Sequence, residues 1–389
     1  MKREVTIQEI AEDISPGFAC RPLEGKGVGL PQLRPYSITE EGKLDFSQYK
    51  YVPIDTNDLE KYKMRKGDVI FNNTNSPVLV GKTALFDHDY DCVYSNHMTR
   101  IRIKEDLADP GYVARYLHSL FLRGVFKNRC QQWVNQAAIS KTDLGNLKIP
   151  LPPLDDQKNV NNLLLQVEST IAKRRQTLRL ADEFLKSAFL DMFGEPKSNP
   201  KKWPMIQFAK LGKIKKDVVA NDQIFSGCAC VGLEHIESQT GELLGWDKFD
   251  ESIRSNKFKF SKDQVLYGKL RPYLNKVSLP YIDGVCSTDI LPISAINQVS
   301  NRYFIAYLMR TKYFVSLASS KSTGANLPRV NPSQIEKFMV YKPPFKRQQK
   351  FADLVQKVEK LKEKQKQSET QLQNLFNSLM QRAFRGELF

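Results

Sequence analysis

The sequence has few cysteines for its length, no long apolar run, and none of the glycine-rich or histidine-paired patterns that mark common catalytic sites. Its six cysteines, Cys20, Cys92, Cys130, Cys228, Cys230 and Cys286, are scattered over 389 residues. Only Cys228 and Cys230 stand close, and the lack of any C-x-x-C pair argues against a zinc site or a disulfide framework. No stretch approaches the ~18–20 apolar residues of a membrane span. The opening MKREVTIQEIAEDISPG lacks the apolar segment of a signal peptide. Reduced thiols, no membrane association and a cytoplasmic location are therefore the expectation.

Catalytic signatures are equally scarce. VGKT at 80–83 has the end of a phosphate loop, but the glycine that loop requires is Ser76, and the segment sits in an apolar run better read as a strand. KPPF at 342–345 has the shape of an amino-methyltransferase motif, with Lys342 where Asn or Asp should hold the target amine. His88, His97, His118 and His235 form no spaced pair suited to a metal, and no Ser-His-Asp arrangement is visible. These absences give a non-catalytic chain that binds no metal or cofactor itself.

What the chain does have is positive charge, a net +16, distributed unevenly. Residues 1–100 carry 13 Lys and Arg against 15 Asp and Glu, whereas residues 251–350 carry 17 against 5. A basic face of that size attracts polyanions, nucleic acid above all, although charge alone fits a merely solubilising surface equally well.

The chain is also an internal repeat. LKIPLPPLDDQ at 147–157 and FMVYKPPFKRQ at 338–348 share the order strand, proline pair, helix, and lie 191 residues apart. That offset superposes Leu144 on Ile335, Ile149 on Val340, Gln157 on Gln348, Glu168 on Glu359 and Phe193 on Phe384 without slipping. Upstream, KGDVIFN at 66–72 corresponds to KDQVLYG at 262–268 with a slightly different offset, as loops that tolerate insertion allow.

After each junction runs a long helical pattern. In the first, Val160, Val167, Arg174, Ala181 and Ala188 alternate with Leu164, Ile171, Leu178, Leu185 and Met192 in coiled-coil spacing, and Gly194 and Pro196 end it. The second has apolar ends, including Leu354, Val358, Leu361, Leu372, Leu375 and Leu379, around the polar middle KEKQKQSETQ. Antiparallel pairing would set Arg174, the one break in the first seam, against that polar middle near Glu363 or Glu369. Before each junction the chain reads as α+β. Strands are expected at DVIFN, VLVGKTALF and TRIRI with a helix over 110–127, then at QVLYG, NKVSLP and DILPIS with a helix over 301–318.

Polar loop-like stretches recur at matched positions and supply the candidate binding residues. In the first domain these are Asn72, Asn73, Asn75, Lys82, Asn96, His97, Arg100, Gln132 and Asn135. In the second they are Lys269, Arg271, Tyr273, Lys276, Lys321, Ser322, Asn326 and Arg329. Amide side chains can pair with adenine edges and arginine with guanine, while lysine and serine suit phosphates.

The junction IPLPPLDDQ, the bridge MFGEPKSNPKKW at 192–203, the second junction and the ending RAFRGELF together closely resemble the specificity subunits of type I restriction–modification enzymes, over the whole chain. The resemblance implies an α+β protein with a pseudo-two-fold internal repeat. Two target recognition domains, 1–150 and 196–342, each read half of a bipartite double-stranded DNA site. Two antiparallel coiled-coil spacer helices, 151–195 and 343–389, set the gap and dock two modification (methyltransferase) subunits, with restriction subunits joining outside. It further implies that S-adenosylmethionine and ATP are bound by those partners. Two other readings stay open at this stage: a coiled-coil scaffold that binds only proteins, and a self-contained DNA methyltransferase, which the missing motifs disfavour.

Overall fold

The computed structural model describes residues 4–21, 29–47, 49–53, 56–133, 136–219, 227–249 and 256–388. The chain divides into two compact units. One comprises Met1–Lys173 with Glu369–Phe389, the other Arg174–Ser368. Each unit thus holds one globular part and about half of each long helix.

In the first unit, β1 (Ala11–Pro16), β2 (Val69–Asn72), β3 (Thr83–Leu85) and β4 (Met98–Ile103) form an antiparallel sheet in the order β1-β4-β2-β3. The central strand β2 is buried along its whole length, and α1 (Pro110–Leu122) packs on β2 and β3. Asp109 caps α1 by accepting from the Tyr112 N–H at 2.7 Å, and Pro110 takes the first turn, where its missing N–H costs nothing. The strand expected over VLVGKTALF shrinks to β3, because Gly81 turns the chain at φ 94° with its Cα against the Phe126 ring. The helix expected over 110–127 stops at Leu122, since Gly124 adopts φ 71° before a short helix at Val125–Arg129.

The second unit repeats the plan. β5 (Gly212–Ile214), β6 (Val265–Gly268), β7 (Val277–Ser278) and β8 (Ile290–Ala295) pair in the order β5-β8-β6-β7. The helix expected over 301–318 is two helices, α3 (Arg302–Arg310) and α4 (Lys312–Ser320). Thr311 turns extended between them and its hydroxyl accepts from the Phe314 N–H. Closing strands also correspond: Val5 faces Ile149, and Ile206 faces Val340. In both units a further strand lies between an antiparallel and a parallel neighbour, Leu30–Leu33 in the first and Ala229–Val231 in the second.

The long helices are α2 (Leu154–Phe193) and α5 (Phe345–Arg385). Each carries a wholly buried glutamine as its fourth residue. Gln157 donates to Pro152 O at 2.8 Å and accepts from the Asp109 N–H at 2.9 Å; Gln348 donates to Pro343 O at 2.9 Å and Val299 O at 3.0 Å. The repeated glutamine therefore ties helix start to domain body. Asp155 and Asp156 occupy the first turn of α2, where the helix dipole favours negative charge.

In the first unit Val160, Leu164, Val167 and Ile171 of α2 share a core with Leu379, Met380 and Ala383 of α5, and Leu372 packs at its margin. In the second, Leu185, Phe189 and Phe193 join Phe351 and Val355, with Val358 at the margin; Leu178 is half-buried. The buried stripe thus leaves the expected Ala188 and Met192 for Phe189 and Phe193, a one-residue drift of the kind a 3.6-residue helix shows against a heptad. Within this unit the helices run antiparallel: Arg174 donates to Gln365 Oε1 at 2.7 Å, Asp182 meets Lys362 at 2.7 Å, and the Phe193 ring meets Phe351 edge-on. Arg174 faces the polar middle of α5 as expected, with Gln365 in the place anticipated for a glutamate. Leu361 was expected inside but is 59% exposed, while Lys362 is buried to 8% because it bridges Asp182 and Glu359.

Candidate nucleic-acid interface

In the first unit, backbone bonds gather three of the sequence-selected stretches. Asn73 N and Thr74 N donate to His97 O, Ile139 N donates to Asn73 O, and Thr74–Asn75 pairs with Ala137–Ala138. Asn73, Asn75 and His97 are half-buried here, whereas Asn96 and Gln132 are exposed. Gln132 also touches Lys127 O at 3.3 Å. Asn135 lies outside the described residues.

Three of the first unit's candidates are corrected by their surroundings. Asn72 is fully buried and donates to Leu79 O at 3.0 Å. Lys82 is buried to 6%, its ammonium bonds Ile38 O, and burial lowers its pKa. Arg100 is buried to 4%, pairs with Asp13 at 2.6 Å and donates to the carbonyls of Lys61 and Lys63. Each is spent inside the fold, where a buried cation or amide needs such partners, so none reaches outward.

In the second unit two loops meet. The first runs from β6 through a 3₁₀ turn at Pro272–Leu274 to β7; the second is the hairpin pairing Ser322–Thr323 with Arg329–Val330. They join where Leu270 bridges Arg329, and where Arg271 N donates to Pro328 O at 2.7 Å. Beneath the join, Asp289 accepts two bonds from Arg329 at 2.9 Å and faces Lys269 at 3.8 Å. The Arg329 bond holds the Asp289 carboxyl below the ordinary carboxylate range. Lys276 is also committed, donating to Leu233 O at 2.7 Å, and Ser322 donates to Ser319 O at 2.7 Å. Of the eight candidates here, Arg271, Tyr273, Lys321 and Asn326 are exposed. Lys269, Lys276, Ser322 and Arg329 instead build the platform. Asp289, the first residue of the expected strand DILPIS and not among the candidates, proves its organising centre. Nothing in a sequence signals that partner, because it lies 40 residues from Arg329.

Glu234, His235 and Asp247 also gather ligand-type atoms. His235 Nδ1 accepts from the Gly232 N–H at 2.9 Å, which keeps the neutral ring's proton on Nε2, facing Asp247 at 3.7 Å. Nε2 therefore offers no free lone pair, and the group reads as a hydrogen-bonded turn. Among the described residues no helix is long and apolar enough to cross a membrane.

The chain combines a doubled α+β plan with two long helices, and known proteins share parts of it. Residues 31–179 match the type I restriction modification DNA specificity domain. The chain is 27% identical over 292 residues to the EcoDI specificity subunit of Escherichia coli, covering 64% of either chain. It is 25% identical to the StySPI specificity subunit of Salmonella potsdam over 92% of this chain and 82% of that one. A crystal structure of the type I restriction–modification S subunit from M. genitalium shares the fold at a TM-score of 0.59 and 13% identity, covering 99% of this chain and 96% of that one. Over these stretches the chain is similar to the specificity subunits of type I restriction–modification enzymes.

Proposed function

We propose that this chain is the non-catalytic subunit that chooses the DNA site of a type I restriction–modification complex, each unit reading one half of a gapped target. The observation that carries this is one fold built twice with different side chains at its equivalent loops. A duplicated scaffold supplies two reading heads, and unlike chemistry makes their half-sites unlike. The first unit's outward groups are amides and a histidine; the second presents arginine, lysine and tyrosine on a strongly basic segment.

The long helices serve as spacer and as docking surface for two methyltransferase subunits. In support, α2 and α5 expose large apolar side chains that no core claims, Leu180 at 54%, Phe184 at 52% and Leu361 at 59%. Leu180 and Phe184 stand one turn apart on the same helix face, and contiguous exposed apolar surface marks an interaction site. S-adenosylmethionine and ATP belong in this reading to the methyltransferase and restriction subunits. Expression with the partner subunits in a methylation-free host, followed by methylation-sensitive genome sequencing, tests the proposal. An asymmetric, gapped modified motif is the expected result; a continuous motif, or the same motif without this chain, would overturn it.

A further inference from the structure

We infer that Arg271 is the guanine-reading side chain of the second unit, taking the O6 and N7 edge of one G·C pair in the major groove. This rests on the DNA-reading role just proposed and adds to it a residue and a base.

The backbone is built to hold this side chain out. Arg271 adopts φ 49° and Asn275 φ 52°, left-handed conformations on either side of the 3₁₀ turn. Non-glycine residues rarely hold that conformation unless their surroundings fix it. Here they do: Arg271 N bonds Pro328 O, Lys269 N bonds Asp289 O, and Asn275 Nδ2 bonds both Gln239 Oε1 and Arg310 O. Four separate segments, at Pro328, Asp289, Gln239 and Arg310, therefore grip a loop whose tip is exposed.

The other described arginines of this globular part are already committed. Arg302 donates to Pro280 O, Arg310 to Val277 O and Arg329 to Asp289, while Arg347 covers the Trp203 ring. Arg271 shows one bond, to Asn326 O at 3.5 Å, at the outer limit of hydrogen bonding. Its fork of parallel donors matches the two acceptors that guanine alone presents side by side in the major groove.

The internal repeat sharpens the assignment. Thr74 faces Ala138 in the first unit as Leu270 bridges Arg329 in the second, which places Asn75 where Arg271 stands. An amide at one head and a guanidinium at the other is the exchange expected between unlike half-sites.

The test compares the chain with its methyltransferase partners as wild type, Arg271→Ala and Arg271→Lys, by sequencing the modified motif. In Arg271→Ala one G·C position in a single half-site should lose discrimination roughly 5- to 150-fold, with the other half-site unchanged. Arg271→Lys should loosen the same position less. Replacing that guanine with 7-deazaguanine, which removes N7, should weaken wild-type binding and leave Arg271→Ala unaffected. Equal loss across all positions marks a phosphate contact and overturns the inference, as does a variant motif that stays strict. A gapped wild-type motif with strict variants sinks only this assignment; no gapped motif in the wild type sinks the DNA-reading role beneath it. Thermal unfolding of both variants, expected within a few degrees of wild type, separates lost reading from lost folding.

Discussion

At the residue scale, two buried or half-buried groups lead to measurable consequences. Asp289 holds Lys269 and Arg329 under the second unit's exposed loop. Asp289→Asn keeps the shape and removes the charge. It should cost about 1 kcal/mol or less in unfolding free energy, since the cluster is partly solvated. Sequence discrimination in one half-site should fall more steeply than stability. The depressed pKa makes the Asp289 contribution complete above the unfolded carboxylate value and lost as pH falls through the lower folded one. His118 acts in the opposite region. Burial pushes its pKa down to about 4, so the folded state holds it neutral while the unfolded chain takes up a proton near pH ~6.5. Stability is therefore full above pH ~6.5 and falls between there and about 4, by up to ~3 kcal/mol at the low end. Urea titrations of wild type and His118→Phe across that range should diverge, the variant being flatter. Parallel curves would show that another group carries the acid sensitivity.

At the scale of elements, local chemistry was legible and long-range burial was not. The proline junctions, the strands DVIFN, TRIRI, QVLYG and DILPIS, and both long helices follow from periodicity. The breaks at Gly124 and Thr311 escaped because each lies inside an amphipathic pattern that continues across it. The phase drift to Phe189 and Phe193 escaped because a strict heptad was assumed over a helix of 40 residues. Gln157 and Gln348 were visible as a repeated pair, yet only the structure shows what they bind. Removing either strands buried backbone groups, so Gln157→Ala and Gln348→Ala should each cost ~1–3 kcal/mol. They share no partner, so the double variant should be additive within ~0.5 kcal/mol by urea unfolding. A cost near zero in both would mean that water replaces the amides. Phe189→Ala should be costlier, ~3–5 kcal/mol, because its ring packs against Phe193, Phe304, Tyr307 and Phe351.

At the scale of the whole molecule, the charge asymmetry and the repeat were legible, and the exposure of the candidate binding residues only partly so. The sequence could not separate the candidates whose side chains are exposed from those spent inside the fold. Asn72, Lys82 and Arg100 are as polar as their neighbours; their buried partners Leu79, Ile38 and Asp13 decide the difference. The proposed spacer role makes a geometric prediction. Seven residues inserted at once in α2 after Lys173 and in α5 after Ser368 add ~10 Å, about three base pairs. The modified motif should keep both half-sites and lengthen only its gap. Insertion in α2 alone should abolish modification, because one helix of the pair is then two turns longer than the other and their packed stretches cannot all be kept in register. A change in the bases read by the doubly lengthened chain would contradict a spacer.

The contact between Arg174 and Gln365 spans 191 residues, the same interval that separates the two proline junctions. Each residue is therefore the repeat counterpart of the other. Two separate copies of one helix meeting at that point would set like against like: paired arginines would repel, and paired glutamines would give up the charge. A single continuous chain escapes that constraint and can place an unlike, hydrogen-bonded pair there. Covalent linkage thus frees the seam, as it frees the two globular units, from having to be identical.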